Sequence, residues 1–118
     1  MDSKEYLKNI KVVKKDGNLQ DYDFNKIIIA INKSATRVNY SFTKFELNEI
    51  KSIIESILTE YILENDTKEI PIMVMHSTVE KALTKVVPEV ANSYKEYRNY
   101  KVDFIRMLDK AYTEAQRE

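Results

Sequence analysis

The chain has 118 residues, 43% of them hydrophobic, which suits one domain with a single core. Basic and acidic residues both number 19, so no overall field favours nucleic acid or a membrane surface. There is no cysteine, which excludes disulfides, thiolate metal sites and cysteine-based catalysis within this chain. No apolar stretch has the length of a signal peptide core or a membrane span, so we expect a cytoplasmic protein without a membrane partner.

The charge is unevenly distributed. Residues 8–37 carry seven basic and three acidic side chains, whereas residues 44–69 carry three basic and seven acidic ones. The N-terminal third is therefore predicted to form the electropositive end of the molecule.

A β-hairpin is predicted first. Residues 1–8 are polar and are expected to form a disordered tail. Residues 9–15 have the β-branched content of a strand, and residues 18–22 form the returning strand. Between them lies Asp16-Gly17, and an Asp-Gly pair between two short strands is a strong hairpin signal.

Two amphipathic helices follow. Asp23 or Asn25 can cap the first, which is expected to end near Arg37. Thr43 and Glu46 have the spacing of a capping box and open a second helix of about five turns, which breaks at residues 65–66. Their apolar faces are Phe24, Ile27, Ile28, Ile31 and Ala35 in the first, and Leu47, Ile50, Ile54, Ile57, Leu58, Tyr61 and Ile62 in the second.

Two further helices complete the pattern. Residues 68–70 are predicted to be a short extended link, with Pro71 at the first position of the third helix. Pro88 begins a fourth helix, whose apolar pattern continues to Tyr112. The predicted class is α+β, with an N-terminal β-hairpin cap packed on a bundle of about four helices.

Three lysines are candidates for binding an anion. Lys14 and Lys15 precede the turn, and Lys26 lies in the first turn of a helix, where the macrodipole is positive. A phosphate at this place would be bound by the lysines and by the free N–H groups of the helix end together. The alternative is three solvated surface lysines.

Other chemistry has little support in the sequence. One glycine cannot build a P-loop or a G-x-G-x-x-G turn, and no carboxylate pair has spacing that argues for acid-base work or a metal cage. His76 is the only histidine, and such a residue is more often structural than functional. The tyrosines at 94, 97, 100 and 112 have helical spacing, which favours a core position over stacking on nucleic acid.

The motifs resemble those of the ATP-cone family. Residues 12–17 are similar to its V-x-K-[RK]-[DN]-G hairpin, and residues 23–27 to its [DN]-x-x-K-I helix start. Residues 69–71, 79–83 and 90–98 resemble the later motifs, and the last of these matches A-x-x-Y-x-x-Y-R. All five occur in the family's order.

The resemblance implies a regulatory domain, not a catalyst. In this family a hairpin over a four-helix bundle binds ATP or dATP, mostly at the N-terminus of ribonucleotide reductases, where occupancy sets overall activity. The related zinc-ribbon repressor requires cysteines, which this chain lacks. The implied division is a cone over residues 9–100 and a helical extension over 101–118 toward a reductase body, resembling the anaerobic triphosphate class.

The resemblance also assigns a phosphate side to the nucleotide site. Val12, Lys14 and Lys15 would line one wall, and Lys14 and Lys26 would bind phosphates. Arg98 would close the site from the fourth helix. Position 15 is lysine where the family often has arginine, which loses the bidentate fork.

The base and ribose side of the site is implied in the same way. Gln20 and Asp23 would approach the ribose or base, and Ile27 would pack on the adenine. Ile72 would meet the base, and His76 would face the pocket. A carboxylate at position 23 repels phosphates unless Mg²⁺ intervenes, so the expected ligand is ATP or dATP with Mg²⁺.

Two expectations concern partners. The first is a reductase catalytic core, with self-association left open. The alternative is a nucleotide-free helical interaction module that uses the acidic second helix or the tyrosine-rich fourth helix.

Overall fold

The computed structural model describes residues 8–98 and confirms the α+β class. The predicted extension at 101–118, and all of the predicted tail except residue 8, lie outside the described residues. In chain order the elements are β1 (Lys11–Val13), β2 (Leu19–Asp21), α1 (Phe24–Arg37), α2 (Lys44–Asn65), β3 (Glu69–Pro71), α3 (Ile72–Val86) and a helix over residues 88–98, here α4. None of the helices in this part of the chain is long and apolar enough to cross a membrane.

The predicted hairpin is present, with shorter strands than expected. β1 and β2 pair antiparallel, with Val12 opposite Gln20. The loop between them is closed by a bond from Gly17 N–H to the Lys14 carbonyl, 2.9 Å long. Gly17 has φ +85°, a left-handed conformation that favours glycine. Asp16 accepts from the Asn18 backbone N–H at 3.0 Å and so stabilises the turn.

The short extended link predicted at residues 68–70 forms part of a strand. β3 pairs parallel with the other edge of β1, giving the sheet order β2–β1–β3. Ile70 is completely buried and lies opposite Val12, and Lys11 N–H donates to the Lys68 carbonyl at 2.8 Å. A three-residue strand has no periodicity to read, so this parallel pairing could not be predicted from local sequence.

The helix ends follow the predicted capping chemistry. Asp23, not Asn25, caps α1, and its carboxylate accepts from Asn25 N–H at 3.0 Å. Both bonds of the Thr43–Glu46 capping box are formed at the start of α2. Pro71 precedes α3 as its N-cap residue and does not occupy the first helical position, because it still belongs to β3.

α4 packs on both α1 and α3. Ser93 Oγ donates to the Ser34 carbonyl at 2.6 Å in the buried contact with α1. His76 on α3 lies beside Tyr94 on α4. One apolar core runs beneath the sheet and between the helices, and its most buried side chains are Ile10, Ile31, Ile50, Ile54, Leu58, Ile70, Leu83 and Val90.

The turn glycine gives a direct stability test. No atom lies within 4 Å of a Cβ built on Gly17, so Gly17→Ala carries only the cost of a left-handed backbone, about 1–2 kcal/mol. Urea unfolding should show this loss. Gly17→Asn is the matched control, because asparagine tolerates this conformation and should recover much of the loss. Equal stability of all three forms would contradict the conformational argument.

Candidate functional site

A cavity of about 140 Å³ lies where the sheet, α1, α3 and α4 meet. Each wall comes from a different part of the chain, so the cavity depends on the whole fold. Its lining residues are Val12, Gln20, Asp21, Tyr22, Asp23, Lys26, Ile27, Ala30, Ile72, Met75, His76, Val79 and Tyr94.

Seven of the ten predicted site residues line this cavity. They are Val12, Gln20, Asp23, Lys26, Ile27, Ile72 and His76. The other three, Lys14, Lys15 and Arg98, lie outside the lining. The first and the last of the seven, Val12 and His76, are 64 residues apart in the chain, and folding brings them to one place.

The cavity has an apolar interior and a charged rim. Ile27, Ile72 and Val79 provide apolar walls, while Lys26 is exposed at the rim. Asp21 is ion-paired with Lys11, which holds the pKa of that carboxyl below its usual range. This pairing reduces the negative charge that the rim presents to an incoming anion.

The helix end at the rim differs from the prediction in one respect. We expected free N–H groups of α1 to act with Lys26 on an anion. The Asn25 N–H is instead bound by the Asp23 carboxylate, and the Lys26 N–H points to the Asp23 carbonyl at 3.1 Å. A capping carboxylate satisfies the same groups that would hold a phosphate, so the cationic contribution here comes from the Lys26 side chain.

Within the cavity lining His76 is held by Tyr94, a residue that our site assignment had missed. His76 Nδ1 lies 3.1 Å from Tyr94 Oη. Burial, together with the positive charges of Arg98 and Lys15, lowers the pKa of His76 to about 4. Lys15 on the hairpin loop and Arg98 on α4 therefore both act electrostatically at the cavity, although neither lines it.

Arg98 is held by Glu80, a second residue that we had missed. Arg98 Nη1 lies 3.0 Å from Glu80 Oε1, and both side chains are largely covered, at 20% and 25% exposure. This oxygen has no aligned hydrogen bond within the described residues, so the contact is an ion pair only. Both missed residues belong to the motifs at 79–83 and 90–98, which were the available signal.

Tyr22 connects the cavity to α2. It lines the cavity, and its hydroxyl lies 3.4 Å from Glu55 Oε2. Burial and the nearby carboxylate raise the pKa of this phenol. The sequence placed Tyr22 only in a strand, because a contact across 33 residues leaves no local pattern.

The cavity is small compared with sites that take up a whole drug-sized ligand. A volume near 150 Å³ holds one small aromatic ring. Pockets that hold a whole drug-sized ligand have volumes of several hundred Å³. At about 140 Å³ the cavity has the size of one such ring. Lys26 lies at the cavity rim, and Lys14 and Lys15 are exposed on the hairpin loop. Within residues 8–98, no three acidic or histidine side chains are grouped to hold a metal ion.

Comparison with known proteins identifies the family. The sequence model of the ATP cone domain matches residues 10–102. The chain is also 33% identical over 94 residues to an anaerobic ribonucleoside-triphosphate reductase of Haemophilus influenzae. That alignment covers 79% of this chain and 13% of the relative. The family match over residues 10–102 defines the class of protein, which is a regulatory domain of the nucleotide-binding type.

This chain belongs to the ATP-cone family. It spans about an eighth of the length of the reductase that it matches.

The Glu80–Arg98 pair predicts a structural role for Arg98. Arg98→Ala leaves a largely covered carboxylate without its cation, so we expect a loss of roughly 1–3 kcal/mol in urea unfolding. Adding Glu80→Ala should restore part of it. The control is Lys95→Ala on the exposed face of α4, which should change stability by less than about 0.5 kcal/mol. Additive effects of the two substitutions would contradict the pairing.

His76 predicts a pH dependence. Its folded pKa of about 4 lies below the ordinary 6.5, so the unfolded chain binds more protons between these values and stability falls as pH falls through this window. Allowing for partial solvent screening, the loss is about 2 kcal/mol. Urea unfolding at pH 7 and pH 4.5 measures it. Between pH 7 and pH 4.5, the free energy of unfolding of His76→Gln should fall by about 2 kcal/mol less than that of wild type. An equal fall in both proteins would contradict the lowered pKa of His76.

Proposed function

We propose that this domain binds ATP or dATP in the cavity and regulates a ribonucleotide reductase. The observation that carries the proposal is the convergence of seven family site positions on one cavity. The base would enter between Ile27 and Ile72, with His76 beside it. Gln20 would lie along the edge that the sugar follows outward.

The charges beyond the rim support a triphosphate. Lys26 lies at the exit and Lys15 acts on the cavity from the hairpin loop, while Lys14 is exposed on the same loop. Arg98 is already oriented by Glu80, which lowers the conformational entropy that binding costs. Mg²⁺ carried by the nucleotide would offset repulsion from Asp21 and Asp23.

The regulatory role is inferred from the family and the relative. ATP and dATP would shift how the domain packs on a catalytic core, or on a second copy, in proportion to their different affinities for the two packed states. We assign the cone to residues 9–100 and propose that the following segment leads toward that core. The nucleotide pool it would sense is cytoplasmic, and we propose that location.

Lys26→Ala tests the site. A charge-assisted contact to phosphate contributes about 1.5–3 kcal/mol, so we expect ATP affinity to fall roughly 10- to 100-fold in calorimetric titration with Mg²⁺. Stability should barely change, because Lys26 is exposed. Lys33→Ala is the control, since Lys33 is an exposed lysine of the same helix outside the cavity lining. Equal ATP affinity in wild type and Lys26→Ala would contradict the assignment of Lys26 to the nucleotide site.

A nucleotide-free interaction module is the second candidate. The Phe45 side chain on α2 is 87% exposed, whereas phenylalanine is usually buried. A partner protein could cover it. This candidate predicts no thermal stabilisation by ATP and no heat of binding.

A further inference from the structure

The contact between His76 and Tyr94 decides which atom His76 can offer to a ligand. Nδ1 lies 3.1 Å from the Tyr94 hydroxyl, and both side chains line the cavity. A neutral imidazole has one N–H and one bare nitrogen, and the partner of one nitrogen fixes the state of the other. With Nδ1 engaged, Nε2 is the ring nitrogen left for a ligand.

The proton in this contact belongs to the tyrosine. Tyr94 is 6% exposed, and within residues 8–98 its hydroxyl has His76 as its hydrogen-bond partner. A buried O–H without an acceptor costs about 1–3 kcal/mol, whereas an unused phenol lone pair costs less. This cost favours donation from the hydroxyl to Nδ1, which leaves the ring proton on Nε2.

We propose that Tyr94 is a positioning residue that fixes His76 as a neutral Nε2–H donor, which selects a nucleotide with an acceptor atom beside His76. The positioning step stands on the contact alone. The selection step rests on the proposed nucleotide function. A ligand atom that carries its own proton at this place would be rejected, because two donors would face each other.

The surrounding charges keep both groups in these forms near neutral pH. Arg98 on α4 and Lys15 on the hairpin loop disfavour a histidinium, in the same direction as burial, which together hold the pKa of His76 at about 4. Burial raises the pKa of Tyr94 to about 12, with Arg98 opposing the shift and Glu80 adding to it. Lys26, Asp21 and Asp23 also line the cavity, where a cation disfavours a histidinium and a carboxylate favours it.

Two substitutions on α4 separate positioning from packing. Tyr94→Phe removes only the hydroxyl and keeps the ring in the core. Tyr97→Phe is the matched control, because Tyr97 is half-buried on the same helix and stacks near Arg37, with Arg37 Cζ 5.9 Å from the ring centroid. Neither substitution removes a core ring, so both variants should fold.

The readout is the ¹⁵N spectrum of the single histidine in the chain, recorded from pH 4 to pH 8 without nucleotide. Wild type should show a protonated Nε2 and a bare Nδ1 at pH 7. Tyr94→Phe should raise the titration midpoint of His76 by about one pH unit, because the neutral form loses its donor. Tyr97→Phe should leave it unchanged. A wild-type proton on Nδ1, or an unmoved midpoint in Tyr94→Phe, would overturn the positioning role.

The second arm measures ATP binding with Mg²⁺ by calorimetry at pH 7. Tyr94→Phe should weaken binding about 5- to 10-fold, with Tyr97→Phe like wild type. Unchanged affinity in Tyr94→Phe would overturn the selection step. A wild type with the expected spectrum but no ATP binding would support the positioning step and overturn both the selection step and the nucleotide function. The ¹⁵N spectrum therefore tests the positioning step, and the calorimetry tests nucleotide binding separately.

Discussion

The parallel pairing of β1 with β3 holds the two halves of this domain together. Without it the hairpin would be a two-stranded ribbon, which is marginal by itself in water. The pairing places Val12 beside Ile70, and Ile70 leads directly into α3 through Pro71. The hairpin is therefore fixed over the helix that carries Ile72 and His76. A cavity can form between them only because this register is set by two buried apolar side chains.

Three polar pairs hold side chains in or beside the cavity. Tyr94 holds His76, and Glu80 holds Arg98, across the contact between α3 and α4. Tyr22 extends to Glu55 on α2, so a helix that does not line the cavity still contacts its wall. Such pairs orient the groups that face a ligand before it arrives, which lowers the entropy lost on binding. The three pairs also connect the cavity to α2, α3 and α4. A ligand in the cavity could alter the packing of these helices through such contacts.

The sequence predicted the local structure well because local structure has local causes. The Thr43–Glu46 capping box and the Asp16-Gly17 turn are read from residues that contact each other within one turn. The third strand was missed because its partner lies more than 50 residues away and it has only three residues. Pro71 was misplaced by one position for the same reason, since its place in β3 is decided by tertiary pairing.

In the site, too, the positions could be predicted from the sequence, whereas the contacts between distant side chains could not. The family motifs led to seven lining positions, but they did not indicate which side chains hold one another. Tyr94 was expected in the core from its spacing and is buried there, yet its hydroxyl contact with His76 depends on how α3 and α4 cross. The role of the Asp23 carboxylate as a cap was one of two alternatives, and only the backbone geometry decided between them.

The most direct measurement is a backbone ¹⁵N–¹H titration of the wild-type chain with MgATP and MgdATP. The account predicts saturable shifts on both sides of the cavity, at the hairpin and the start of α1 on one side and around His76 and Tyr94 on the other. The exposed face of α2 near Phe45 should remain unchanged. Shifts confined to α2, or none up to millimolar nucleotide, would contradict a nucleotide site between the sheet and the helices.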